Sequence, residues 1–196
     1  LFPSLFLLPD FAILDSRMTK TLPPAITAAT AMDALTHACE AYTCLAKNPL
    51  SDTTALMAIK LISENIMRAI KKPDDMEARL ALATGSALAG MSFSNSMVGM
   101  VHAIGHSIGA ICHVPHGVCM SILLPYGLEY NLHKSGHLTA ELLFALRGEE
   151  VYSKTKKSDR PGLTISTIRE LNSQLRQATG GKHPTCLREV VDRDGN

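Results

Sequence analysis

Two groups of residues in this sequence could do chemistry. The first is Asp33 with His37, in Met32-Asp33-Ala34-Leu35-Thr36-His37-Ala38-Cys39-Glu40. Residues four apart on a helix share a face, with about 5–6 Å between Cβ atoms, so a carboxylate and an imidazole can converge on one point. The flanking residues Ala28, Ala29, Ala31, Met32, Ala34, Leu35 and Ala38 are apolar, which predicts burial. A buried carboxylate is costly unless a cation, a hydrogen-bond network or a metal compensates it. An Asp–His pair that satisfies itself in the core meets the same requirement, and spacing alone leaves both readings open.

The second group is Gly99-Met100-Val101-His102-Ala103-Ile104-Gly105-His106-Ser107-Ile108-Gly109, continuing through His113 to Pro115-His116-Gly117, and it holds four of the eight histidines in the chain. His102 and His106 share a helix face. His116 follows the break at Pro115, so a reversal of the chain could return it towards His102. Gly105 and Gly109 would let another backbone or a flat ligand come close. Each histidine alone reads as a surface or satisfied core residue. Together with Asp33 and His37 they form an oxygen and nitrogen donor set that suits ferrous iron or zinc. Spacing does not separate His106 from the ligands. His113, beside the break, reads as an ordinary loop histidine. His133, His137 and His183 sit in polar surroundings and take no role, and Cys39 falls on a different helix face from His37.

The elements needed to hold these residues read as helices. Thr21 is placed to N-cap a helix with Pro23 and Pro24 in its first turn, running through Ala25–Tyr42. A second helix is predicted after Ser51-Asp52, with Ala58, Ile62, Ile66 and Ile70 on one stripe. A third opens at Pro73-Asp74, where Asp74 and Glu77 have capping-box spacing and Ala83, Ala87 and Gly90 permit close helix contacts. Gly99–Cys112 and Gly117–Tyr130 follow on either side of Pro115. Val151–Arg160 reads as a basic loop, and Leu163–Leu175 as an amphipathic helix stopped by Gly180-Gly181. Phe11–Leu14 reads as one short strand. The expected fold is an all-α helical bundle over residues 1–196 with a short N-terminal strand.

Composition excludes other classes. The chain has 196 residues, 46% of them hydrophobic, with 19 basic against 18 acidic side chains. That balance leaves no electrostatic footprint for nucleic acid. The apolar stretch Leu1–Leu14 is interrupted by Pro3, Ser4, Pro9 and Asp10, so it is too short to span a membrane, and it lacks the basic flank of a signal peptide. Five cysteines without a C-x-x-C pair suit a reducing, cytoplasmic setting.

Several linked motifs resemble the iron-containing alcohol dehydrogenase family. They are Pro9-Asp10-Phe11-Ala12-Ile13-Leu14-Asp15, Asp33-Ala34-Leu35-Thr36-His37-Ala38, Asn48-Pro49-Leu50-Ser51-Asp52, Ala89-Gly90-Met91-Ser92-Phe93-Ser94-Asn95, Gly99 to His106 and Pro115-His116-Gly117. The resemblance runs from about Pro9 to Asn131 and is to the C-terminal helical domain of the dehydroquinate synthase-like fold. It implies that Asp33, His37, His102 and His116 hold the metal, Fe2+ or alternatively Zn2+. It places His106 beside the nicotinamide and substrate in proton relay, and Phe93, with its neighbour Val98, in the substrate pocket. The implied reaction is reversible NAD- or NADP-linked oxidation of a small alcohol to an aldehyde or ketone by a self-associating, homo-oligomeric enzyme. The family's N-terminal nucleotide-binding domain and last helices are expected to lie outside these 196 residues, leaving this piece inactive alone. A glycerol dehydrogenase-like enzyme, or a non-catalytic helical module stabilised by the same four ligands, is the competing reading.

Overall fold

The computed structural model describes residues 9–191. A 3-10 turn at Ser16–Thr19 leads into α1 (Pro24–Thr43), α2 (Pro49–Lys71), α3 (Met76–Asn95), α4 (Met100–Cys112), α5 (His116–Tyr130), α6 (Leu132–Lys154), α7 (Arg160–Ala178) and the short α8 (Arg188–Val191). The described residues contain no strand, which confirms the helical bundle and corrects one detail of it. Phe11–Leu14 has no strand to pair with, and Phe11 and Ile13 stand exposed. The apolar residues 1–8 lie outside the described part. No described helix is long and apolar enough to cross a membrane.

α1 is the axis of the bundle, buried along most of its length from Thr27 to Tyr42, and α2, α3, α5, α6 and α7 all pack against it. Its many alanines make that possible, since small side chains on every face let several neighbours approach one helix. α2 supplies the predicted stripe, with Ala58, Ile59, Ile62, Ile66 and Ile70 in the core beside Met32, Leu35 and Cys39 of α1. α7 adds Ile165, Ile168 and Leu175 to the same core. Gly85 makes a close contact of α3, where an added Cβ would lie 2.8 Å from Ile62, whereas a Cβ at Gly90 would meet nothing within 4 Å. Ala83 and Ala87 instead line a cavity of about 380 Å3 with Leu14, Leu22 and Arg79.

Helix starts depart from the sequence reading for local reasons. α1 has Pro23 at its N-cap and no side-chain cap, so Thr21 plays no part. α2 begins at Pro49 because Asn48 and Ser51 form a reciprocal capping box, earlier than the predicted start. α3 is capped by Asp75, which accepts from the Ala78 amide, and not by Asp74. The predicted basic loop shrinks, since residues up to Lys154 stay helical in α6. That helix is kinked at Ser135 and Gly148 and held by the buried Leu142, Leu143, Ala145 and Leu146. Tertiary packing of that apolar face overrides a polar local composition.

Two polar links fasten the helices that carry the site. Asn48 Oδ1 accepts from the Leu50 and Ser51 amides, while Asn48 Nδ2 donates to the Asn95 carbonyl at 2.7 Å. One side chain thus closes the start of α2 and the end of α3, and Ser92 Oγ adds a buried bond to the Ser51 carbonyl. The second link is His183, 1% exposed and not in the polar setting expected of it. Ser121 Oγ of α5 donates to Asn172 Oδ1 of α7 at 2.7 Å, so it must accept from His183 Nε2 at 2.9 Å. Nδ1 is left buried and unpartnered, and burial pushes the imidazole pKa down to about 4.

Replacing Asn48 by Ala is expected to cost about 1–2 kcal/mol in urea unfolding. Asn48→Asp keeps the cap but sets a carboxylate against the Asn95 carbonyl, so it should recover only part of that loss. For His183, the unfolded side chain takes up a proton near pH 6.5 and the folded one only near 4. Stability should therefore fall as pH drops from about 6.5 to 4, by roughly 3 kcal/mol in all. Urea midpoints in excess chelator should show a distinctly flatter pH dependence over that range for His183→Gln.

Candidate metal centre

The helix path brings the predicted residues together. Asp33 and His37 project one turn apart from α1. α4 presents His102 and His106, also one turn apart, and ends at His113 in a left-handed conformation with φ 55°. That single residue, followed by Val114 and Pro115, reverses the chain within three residues and puts His116 in the first turn of α5. His113 therefore acts in the turn, where a left-handed residue ends the helix. α5 can sit close enough to α1 because residue 117 is glycine. A Cβ there would lie 2.5 Å from the Ala29 carbonyl oxygen. Gly105 does the same between α4 and α5, where an added Cβ would run into Met120. It thus serves helix packing, while Gly109 faces only the Val114 carbonyl of its own turn.

Asp33 Oδ1 is the focus of the cluster. It lies 3.5 Å from His37 Nδ1, 3.7 Å from His102 Nε2 and 3.2 Å from His116 Nε2. Ligand atoms of Asp33, His37 and His102 all fall within 4.8 Å of one another. The His37 and His102 ring centroids are 4.1 Å apart, and the His106 ring stacks on His116 at 5.0 Å. Phe93 covers His37 at 4.5 Å. Val98 is half-buried in the connector between α3 and α4. The cavity lined by Leu14, Leu22 and Arg79 includes none of the site residues.

Hydrogen bonds behind the rings decide which nitrogens face inwards. His37 Nδ1 donates to the Asp33 carbonyl at 3.0 Å, which leaves Nε2 as its lone-pair nitrogen. His102, 2% exposed, contacts the Glu40 carboxylate through Nδ1 at 2.5 Å. Its Nε2 and Asp33 Oδ1 are both buried without a hydrogen-bond partner. Two unpartnered buried polar atoms facing one another call for something between them, and an aspartate oxygen with imidazole nitrogens is a donor set for divalent iron or zinc. The residues present therefore fit a metal. The sequence motif alone gives Glu40 no role, although it lies seven residues after Asp33 on the same apolar helix and a buried carboxylate there needs compensation equally.

Electrostatics follow from the same contacts. Burial alone would raise the Asp33 pKa, but His102, His37 and His116 outweigh it and hold the carboxyl below its usual range. Burial disfavours a charged His102, yet the Asp33 and Glu40 carboxylates prevail and lift it to about 9. His37 is lowered by burial, against the pull of Asp33. His106, on the exposed side of α4, is lowered by desolvation and by repulsion from His116 and His102.

Comparison with known proteins agrees with this architecture. The family model described as "Fe-containing alcohol dehydrogenase family, C-terminal" matches residues 27–183. The chain belongs to the Fe-containing alcohol dehydrogenase family. It is 36% identical over 181 residues to the NADPH-dependent butanol dehydrogenase of Clostridium saccharobutylicum, covering 92% of this chain and 44% of that protein. Among solved structures it resembles a 1,3-propanediol oxidoreductase, with a TM-score of 0.81 and 36% identity over 90% of this chain and 44% of that one. It also resembles the iron-containing alcohol dehydrogenase of Thermococcus thioreducens, with a TM-score of 0.81 and 31% identity over 97% of this chain and 46% of that one. The chain thus spans less than half the length of these relatives.

The Gly117 contact is directly testable. Gly117→Ala forces α5 away from the α1 backbone, so it should lower the thermal midpoint by several degrees. Because His116 is the adjacent residue, zinc affinity measured by chelator competition should fall with it.

Proposed function

We propose that Asp33, His37, His102 and His116 hold a catalytic cation, ferrous iron or zinc, in an oxidoreductase that interconverts a small alcohol and its aldehyde or ketone with NAD or NADP. One observation carries this reading: Asp33 Oδ1 and His102 Nε2 lie buried, unpartnered and 3.7 Å apart, with two further imidazoles beside them. When bound, the cation would supply a Lewis acid for the alcohol or carbonyl oxygen, and the nicotinamide would exchange hydride with the adjacent carbon.

The chain's own residues supply the rest. Asp33 brings the negative charge that a divalent ion requires. His37 is held by its bond to the Asp33 carbonyl with Nε2 free. His116 stands on the open side of the cluster with its side chain 42% exposed. That opening favours a catalytic site over a purely structural one, because structural sites are closed by protein ligands. Phe93, packed on His37, excludes water from one flank, and the family resemblance assigns Val98 to the same substrate pocket. His106 sits outside the ligand shell with a depressed pKa, so its neutral ring can accept a proton on one nitrogen and pass it to solvent. The substrate class and the use of NAD or NADP rest on the family and on relatives such as the butanol dehydrogenase.

Elemental analysis and steady-state rates of the full-length protein separate the roles. Asp33→Ala and His102→Ala should lose the metal. His106→Ala should keep it and lose about 10²-fold or more in rate. Equal metal loss in all three would move His106 into the ligand set, and a metal-free unmutated protein after loading with zinc would refute the centre.

A further inference from the structure

The carboxylate of Glu40 does more than partner one histidine. It is 5% exposed and comes from the same face of α1 as Asp33 and His37, seven and three residues before it. Oε1 accepts from the Val101 amide at 2.7 Å. Oε2 accepts from the His102 amide at 3.2 Å and meets His102 Nδ1 at 2.5 Å. α4 has Gly99 at its N-cap and no cap from its own side chains, so two of its unpaired first-turn donors are satisfied by a residue of another helix. The negative charge also faces the positive end of the α4 dipole. Gly99 is part of the arrangement: a Cβ at that position would lie 2.8 Å from Glu40 Oε1, although its φ of −127° is open to any residue.

We propose that Glu40 is the positioning residue of the metal centre. By gripping the α4 backbone and the His102 ring with one carboxylate, it fixes the orientation of His102 and directs Nε2 at Asp33 Oδ1. All three donors need acceptors, and they approach both oxygens. A glutamine can offer only one carbonyl oxygen, so its amide group would confront either the Val101 amide or the two donors of His102. An aspartate is one methylene too short to span from α1 to α4. The inference rests on the metal-site reading above and adds a residue that touches neither metal nor substrate.

The test is zinc affinity of the full-length protein, measured by chelator competition, with far-UV circular dichroism as a check of folding. Glu40→Gln should bind zinc 10–100-fold more weakly while remaining helical, the range typical when the partner of a metal-bound histidine is removed. Gly99→Ala, which pushes on Glu40 without changing any charge, should weaken binding in the same direction. Asp75→Ala, which removes the cap at the end of α3 opposite Phe93 and so destabilises the fold away from the site, should bind zinc as the unmutated protein does. Unchanged affinity in Glu40→Gln overturns the proposal, and so does an equal loss in Asp75→Ala, which would trace the effect to general destabilisation. If Glu40→Gln fails to fold, Gly99→Ala decides: weaker binding supports the role, and unchanged binding refutes it. An unmutated protein that takes up no zinc overturns the metal reading and this inference with it.

Discussion

Two carboxylates carried into the interior on one helix set the terms for the rest of this molecule. α1 is buried along most of its length, and Asp33 and Glu40 ride on it into the protein. Neither can stay there uncompensated. Glu40 is answered by hydrogen-bond donors at the start of α4. Asp33 is answered by imidazoles that surround it and leave its Oδ1 without a hydrogen bond. The first carboxylate is saturated and therefore structural in character. The second is under-satisfied, and its unpartnered Oδ1 is where the proposed cation would bind.

Several features bring α4 and α5 up to that face of α1. The three-residue reversal from His113 to Pro115 returns the chain, and glycine at 117 and 105 allows backbones to close in. The Asn48 link holds α3 to α2, so Phe93 lies over His37 at a fixed height. The buried Ser121, Asn172 and His183 cluster ties α5 to α7 from behind. The exposed side of the cluster is formed by His116 and His106.

Much of this was legible before any coordinates. The α2 stripe of Ala58, Ile62, Ile66 and Ile70 is a property of period alone, and it is buried as expected. Asp33, His37, His102 and His116 were recognisable because their motifs recur together in one family, and they converge. Helix starts are less legible: α2 begins at Pro49, ahead of the start expected after Ser51-Asp52, and Asp75 caps α3 where Asp74 has the capping-box spacing. Neighbouring polar residues are nearly equivalent as caps, and small differences in backbone angle choose among them. The strand at Phe11–Leu14 failed because a strand needs a partner that the local sequence does not reveal.

The sequence by itself determined the helical class and the order of the elements, since periodicity and breakers are local properties. The candidate donors Asp33, His37, His102 and His116 were separated from His106 only by resemblance to family motifs. Tertiary structure alone decided that His102 turns Nε2 towards Asp33, that Glu40 lies behind His102, and that His183 is buried and not exposed. Those outcomes depend on desolvation and on bonds between residues as far apart as 40 and 102 or 121 and 183, and only the packed chain brings such residues together.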